Sequence, residues 1–560
     1  MNKFKNLFIF SLIIILATAT RFYKLGEAPA GLYLDEAAQG YNAYSIWLTG
    51  KDEFGKHFPI VFRSFTDFKT PVYIYLVTPL IPIFGLTKFA VRFPSFLFSI
   101  LTLPFLYLLI HKISSKKIAQ PLAFVTSLLL AISPWHILFG RTNFECNVAL
   151  FFFIAGAYYF YLSLEKPKYF VLTAILWGLA IPSYHSQRIV TPLMMLTLAL
   201  RHRRKLLENK YRKPILIGLA VGFLISLPTL FVATTPGFLA RASGLNIFSR
   251  EPVGVITNTS LLDFLVNNKL YLNLREFFAL YLSYFSPRNM FILGDYGPRS
   301  SFPYLSTFFI WQAPFYVWGF YKFIKAKNLS ELKFYTLSLL LIAPIPAAVT
   351  RDPYSTIRAL PLVIPQLIII SFGMVSVYKT LKNNLAKQFS LFVFGLVIIY
   401  SLLKIYSSVI ILNEYYRAPW WNYGWEQVAT SINKTDQNLP VVIDNSRTEP
   451  HSQLIFFLKY DPVAYQKDNG VNLDTYYTDM NRDKNKNIGR IQTRPISWED
   501  DLGIEQIIVG DHLAISKQQI AEHNLELLDE ILYPDGSVAF RVVKTSPKQD
   551  YNQTKRNQAN

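Results

Sequence analysis

One cysteine, Cys146, is all that 560 residues contain, so an intrachain disulfide is excluded. The absence says little about compartment, because a chain with many membrane spans needs no covalent staples. Charge is scarce too: Asp, Glu, Lys and Arg make up 16% of the residues, against about 25% in an ordinary soluble protein. Acids are the scarcer sign, 36 against 56 basic residues, for a net charge of +20. In a soluble chain that balance would point to nucleic acid. Here the basic residues fall in short loops between apolar runs, as the positive-inside rule expects, and no nucleic-acid partner is called for. No HExxH zinc signature, Walker loop or GxSxG elbow occurs, and no internal repeat of the kind that transporters carry.

What is abundant is hydrocarbon: 52% of the residues are hydrophobic, in runs near the roughly 17–25 residues that a crossing helix needs. The fold class expected is a polytopic α-helical membrane protein with a C-terminal exterior α/β domain. The first run, Leu7 to Ala19, follows Lys3 and Lys5. "ATAT" offers small residues for signal cleavage, but the spans that follow favour a retained first helix. Further runs are Pro94–Ile110, Ala119–Pro134, Ala149–Leu164, Phe170–Ile181, Ile189–Leu200, Pro214–Ala233, Tyr304–Ile324, Phe334–Val349, Ile357–Val377 and Phe389–Leu412. With a cytoplasmic N-terminus, the loops "HKISSKK", "EKPKY", "RHRRKLLENKYRKP", "KFIKAKNLSELK" and "YKTLKNNLAKQ" all become cytoplasmic if Val72–Leu86 does not cross but lies in the interface or re-enters. About eleven spans result, with the C-terminus outside.

That parity gathers the notable polar groups on the outer face. A first outer loop, 21–93, carries "LYLDEAAQGYNAYSIWLTG" with Asp35 and Glu36 side by side. Ionisable groups beside a bilayer are functional hypotheses by default. Adjacent helical residues face different ways, so one acid is expected to do chemistry while the other orients it or the substrate. Lys69 precedes the interfacial run and Arg92 opens the next span. Each alone reads as a snorkelling anchor; two cations on the acids' side suit a lipid phosphate, with a point charge and a bidentate fork. "SPWHILFGRTNFE" adds His136, Arg141 and Glu145, "SYHSQR" adds His185 and Arg188, and "TRDPYSTIR" adds Arg351, Asp352 and Arg358. A lone His specifies little, and Arg351 with Asp352 also reads as a structural ion pair. A long outer loop, 234–303, includes "GDYGPR", whose Asp295, Tyr296 and Arg299 are equally readable as substrate contacts or as a packed loop.

From residue 413 to 545 the pattern turns to a small exterior α/β domain. "WWNYGWEQVATSI" places aromatics at an interface ahead of a helix. "VVID" and "EQIIVG" read as strands, "PHSQLIFFL" as a helix, and "LDEILYPDGSVAFRVV" as a hairpin turning at Asp535–Gly536. The tail, 546–560, is polar and reads as disordered.

Taken in order, "LDEAAQGYNAYSI", "DFKTPVYIYL", "RFPSFLFSI", "SPWHILFGRTNFE", "YHSQRIVTP", "RNMFILGDYGP" and "TRDPYSTIRALP" resemble the membrane glycosyltransferases of the GT-C superfamily, within family 39, the protein mannosyltransferase and aminoarabinose transferase group. The resemblance covers residues 1–412. It implies transfer of a hexose or pentose from a polyprenyl-phosphate donor to a hydroxyl of a protein, lipid or glycan acceptor, at the outer face of a plasma (inner) membrane. It implies that Asp35 is the catalytic acid with Glu36 its usual neighbour. Lys69 and Arg92 lie on the carrier phosphate, and Glu145 stands where relatives have a second acid. His136, Arg141, His185, Arg188, Arg351 and Arg358 are the expected remainder of the substrate pocket. Phe68 stands where aminoarabinose transferases have an acid that helps bind a metal, a departure that argues against both metal and aminoarabinose. No cofactor is called for; a divalent metal among Asp35, Glu145 and His136 stays an open alternative that the spacing does not favour. The competing readings are another outer-face ligase of lipid-linked glycans, and a transporter or flippase for them.

Overall fold

A backbone in hydrocarbon has no water to bond, so a run there must satisfy its own hydrogen bonds as a helix or in a closed barrel, and continuous apolar runs of this length fit the helix. In a computed structural model of the chain each of the eleven runs contains a helix. The structure describes residues 2–65, 67–235, 247–249, 268–327, 329–350, 352–479 and 484–546. In chain order the elements of its first part are α1 (Asn2–Phe22), α2 (Leu34–Thr49), the short strands β1 (Phe62–Ser64) and β2 (Asp67–Lys69), α3 (Pro71–Val77), α4 (Lys88–Ile113), α5 (Ala119–Ala131), α6 (Pro134–Arg141), α7 (Cys146–Ser163), α8 (Tyr169–Ser183), α9 (Gln187–Leu206) and α10 (Asn209–Ala233). Then come α11 (Lys269–Ser283), α12 (Ala313–Lys325), α13 (Ser330–Ile342), α14 (Val363–Thr380) and α15 (Asn384–Tyr406).

Among the described residues seven helices are long and apolar enough to cross a membrane, eight if the pair α5 and α6, bent by 57°, is one span. The chain is a polytopic helical membrane protein. Of the remaining expected spans, α8 and α12 have only 15 and 13 residues, and α9 ends in basic residues. Pro71–Phe84 is a short apolar helix. Prolines at 79 and 82 break it into turns. At about 1.5 Å per residue it covers roughly 21 Å, short of the roughly 30 Å of hydrocarbon.

Packing divides the chain into two units. The first is Met1–Leu25, Lys69–Tyr73 and Arg92–Ile410; the second is Gly26–Phe68, Ile74–Val91 and Ile411–Asn560. Composition puts one boundary at residue 412, whereas packing also groups most of the first loop with the C-terminal residues. Within the first unit, α12 crosses α14 where Gly319 meets Gly373: a methyl on either would lie 2.1 Å from a carbonyl oxygen of the other helix. Small residues at such crossings let helices touch backbone to backbone, the packing that replaces the hydrophobic effect in lipid.

The second unit is built on α16 (Trp425–Lys434), α17 (Pro450–Phe457), α18 (Pro462–Asn469) and a six-stranded sheet. Its strands are β3 (Val441–Ile443), β4 (Lys486–Ile488), β5 (Ile491–Thr493), β6 (Ile507–Asp511), β7 (Glu526–Leu532) and β8 (Val538–Lys544), in the order β4-β5-β3-β6-β8-β7. Central β3 runs parallel to both β5 and β6, and the outer pairs are antiparallel. β3 is buried at every residue, as a strand covered on both faces must be. Against this body lies α2. Gln453 donates to the Leu32 carbonyl at 2.8 Å and Tyr41 to the Tyr460 carbonyl at 3.1 Å. Gln466 donates to Ser45 Oγ at 3.0 Å and to the Asp52 carbonyl at 2.9 Å.

Candidate functional site

In the first unit, Ser95 on α4 is a junction. Tyr73 donates its hydroxyl to Ser95 Oγ at 3.0 Å, and Asn147 of α7 donates to the Ser95 carbonyl at 2.8 Å. Lys69 lies four residues before Tyr73, Arg92 three before Ser95, and Glu145 two before Asn147, so the junction brings all three to one end of α4. Thr70 extends the cluster by donating to the Ser183 carbonyl at 3.0 Å, at the end of α8 just before Tyr184, His185 and Arg188. Lys69, His185 and Arg188 are half-buried, while Arg92 and Glu145 are buried.

Two further arginines sit here, held by backbone. Arg21, fully buried at the end of α1, donates to the carbonyls of Ala131 at 2.7 Å and Leu130 at 3.0 Å, and to His136 Nδ1 at 2.8 Å. A ring that accepts at Nδ1 carries its proton on Nε2, and buried Nε2 makes no hydrogen bond. Arg141 donates to the carbonyls of Thr20, Arg21, Tyr23 and Lys24 at 2.8–3.2 Å. These include the last carbonyls of α1, which lack intrahelical partners and carry the negative end of its dipole. His136 and Arg141, expected in a substrate pocket, are thus engaged in stitching α1 to α5 and α6. Arg141 feels the charge of Arg92, and Arg21 that of Arg141. Positive charge therefore accumulates at this end of the unit, an environment that favours an anion.

A second cluster joins three of the motifs. Trp135 donates its indole to the Thr356 carbonyl at 3.0 Å; Thr356 donates N–H and hydroxyl to Asp295 Oδ2, each at 2.7 Å; and Gly297 N–H donates to Oδ1 at 2.7 Å. Burial raises the Asp295 carboxyl above its ordinary range. Arg358 pairs with Asp352 and donates to Thr350 at 3.1 Å. Arg351 lies outside the described residues, as do much of the loop 234–303 and nearly all of the tail from 546.

The paired acids open α2 in the second unit. Glu36 is fully buried and its Oε2 accepts from the Tyr33 N–H at 2.9 Å, while the Leu34 N–H donates to Asn422 Oδ1 at 3.2 Å. Two of the orphan donors that every helix start presents are satisfied this way. Asp35, one residue away, is half-buried on a different face. So Glu36 is engaged in shaping the turn that presents Asp35.

Beyond α2 lies a pair that sequence reading passed over. Asp52 is fully buried, accepts from the Phe54 and Lys56 N–H groups at 3.0 and 2.8 Å, and takes the Tyr476 hydroxyl. Glu53 Oε1 accepts from Asn42 at 2.8 Å, and its buried Oε2 makes no hydrogen bond. Burial pushes Asp52 up to about 6 and Glu53 to about 8. "KDEFGK" reads as a solvated turn, and no sequence signal separates it from one.

Among the described residues no three of His, Cys, Asp and Glu gather closely enough to hold a metal ion. Phe68, buried against Tyr476 and Tyr477 with ring centroids at 6.2 Å, offers no ligand atom.

A family model described as dolichyl-phosphate-mannose-protein mannosyltransferase matches residues 68–231, under a third of the chain. That stretch takes in Lys69, Arg92, His136, Arg141, Glu145, His185 and Arg188 and leaves out Asp35 and Glu36. No curated protein matches the chain. Among solved structures, the chain resembles ArnT from Cupriavidus metallidurans bound to undecaprenyl phosphate, at 12% identity over 96% of this chain and 97% of that one, with a TM-score of 0.52. It also resembles the oligosaccharyltransferase of Archaeoglobus fulgidus tethered to an acceptor peptide containing the NVT sequon, at 12% identity over 96% of this chain and 74% of that one, with a TM-score of 0.50. At such identity the likeness is one of fold: the chain shares its overall architecture with these two proteins.

Proposed function

We propose that this GT-C-fold chain transfers a sugar from a polyprenyl-phosphate carrier to an acceptor hydroxyl at the outer face of the plasma membrane, in the manner of family 39. The observation that carries the reading is the junction at Ser95, which gathers Lys69, Arg92 and Glu145 where positive charge accumulates at the end of an apolar helix. A carrier phosphate lies at headgroup level, where the start of a span also lies. The matches to a dolichyl-phosphate-mannose family model and to a protein solved with undecaprenyl phosphate support the same donor chemistry.

In this reading the bond between the anomeric carbon and the carrier phosphate breaks as the acceptor oxygen attacks from the opposite side. Asp35 takes the acceptor's proton, help typically worth 10²–10⁴-fold. Lys69 and Arg92 offset the charge that develops on the departing phosphate. One displacement inverts the anomeric centre. Glu36 keeps the turn in shape, and Glu145, His185 and Arg188 line the sugar side. Arg141 and His136 hold the frame, and Arg358 is fixed by Asp352.

The test is turnover. Wild type and Asp35→Asn are supplied with polyprenyl-phosphate hexoses and pentoses and a membrane extract as acceptor, and free polyprenyl phosphate is measured. Release by wild type that falls at least 100-fold in a folded Asp35→Asn is the expected result. Undiminished release by the variant removes Asp35 from the chemistry. Release from none of the donors, with lipid-linked glycan moved across proteoliposomes instead, would make the chain a flippase.

A further inference from the structure

The second unit contains a groove of about 290 Å³ that the proposed reaction does not use. One wall is Thr87, just before α4, and Lys88, its first residue; the other is Thr430 and Asn433 on α16 with Lys459 just past α17. Its floor is apolar, with Phe456 and Ala429 buried. Lys88 and Lys459 against Glu426 leave the lining with one net positive charge, and the Lys88 ammonium holds Glu426 at 2.7 Å.

Position says what the groove meets. Lys88 is the first residue of a candidate span of 26 residues, so it stands where hydrocarbon ends and headgroups begin. Just before it, Ile83 and Phe84 are 68% and 39% exposed at the end of the short apolar helix Pro71–Phe84. Apolar side chains turned outward beside a cationic, hydroxyl-lined groove fit a phospholipid, with acyl chains along Ile83 and Phe84 and the headgroup in the groove. We propose that this groove binds the headgroup of an anionic membrane phospholipid. Lys88 and Lys459 bracket the phosphate, and Thr87, Thr430 and Asn433 serve the polar remainder.

Native mass spectrometry of the full chain in detergent tests it, with dihexanoyl-phosphatidylglycerol, dihexanoyl-phosphatidylcholine and inorganic phosphate as probes. Wild type is expected to bind the anionic lipid at least tenfold more tightly than the zwitterionic one. Lys88→Gln with Lys459→Gln is expected to erase the preference. Asn433→Trp, at an exposed position, fills the groove without touching charge and is expected to abolish it too, which decides the matter if the double variant does not fold. Equal binding of the two lipids by wild type overturns the proposal, as does a preference that survives in Asn433→Trp. Displacement of the glycerol lipid by equimolar inorganic phosphate would mean a free-anion site and would likewise overturn it.

Discussion

Substituting Glu53 by Gln should make the protein more stable at alkaline pH. Glu53 and Asp52 both bind their protons more tightly folded than unfolded, at about 8 and about 6 against 4.5 and 3.8. Stability from a raised acid is complete below the unfolded value and is lost as pH rises through the folded one. For Glu53, a move from 4.5 to about 8 amounts to about 5 kcal/mol lost between pH 4.5 and 8, at 1.36 kcal/mol per pH unit. Asp52 adds a smaller loss between roughly 4 and 6, moderated by the Tyr476 hydroxyl and the N–H groups of Lys56 and Phe54. Lys486 also faces Glu53 and offsets part of its charge. Gln keeps the carbonyl that accepts from Asn42 and carries no charge at any pH. Thermal unfolding followed by tryptophan fluorescence, from pH 5 to 8.5, is the assay. Wild type should melt progressively lower as pH rises, while Glu53→Gln should keep only the acidic part of that slope and melt several degrees higher than wild type at pH 8.5. Parallel curves for the two proteins would refute the reasoning, because they would mean that Glu53 ionises without leaving its site or paying for its burial.

Two further outcomes follow from the frame. Arg141→Leu removes the guanidinium from the carbonyls at the end of α1 and should cost about 2–5 kcal/mol, read as a lower melting temperature or loss of folded protein; Arg141→Lys, a single point donor, should recover less than half. Gly319→Leu forces α12 and α14 apart at a backbone contact and should destabilise by about 3 kcal/mol, whereas Gly395→Leu, where a Cβ meets nothing within 4 Å, should be neutral in the same melt.

The spans were legible because hydropathy over many residues averages out local detail; Asn209–Ala233, for example, contains the run read as Pro214–Ala233. The central strands were legible for the same reason, since β3, buried at every residue, reads as continuous Val and Ile. The β4–β5 hairpin was not: its strands have three residues each, with Lys486, Asn487 and Gln492 among them, too short for alternation to register. Asp35 and Glu36 stood out as acids beside apolar runs. Their division of labour did not, because Tyr33 at the helix start is not a capping residue type and gives no sign that Glu36 closes the turn. Arg21 and Arg141 carry the plainest limit. A guanidinium aimed at a substrate and one aimed at the end of a helix 120 residues away have the same local sequence. The role of the residues before 68 was hidden in a similar way, because packing partners lie far along the chain.

That distance shapes how the protein can change. Asp52 meets Tyr476 across 424 positions, and Leu32 meets Gln453 across 421. The helix that bears Asp35 therefore has its seat written at the opposite end of the sequence. A graft of residues 413–546 from a relative, though it follows the visible border in composition, would import a foreign seat for that helix. Grafting 26–68 with 411–546 would keep the two halves matched. Such paired inheritance ties any drift in the C-terminal residues to the acid-bearing turn, so that the two must be exchanged together or not at all.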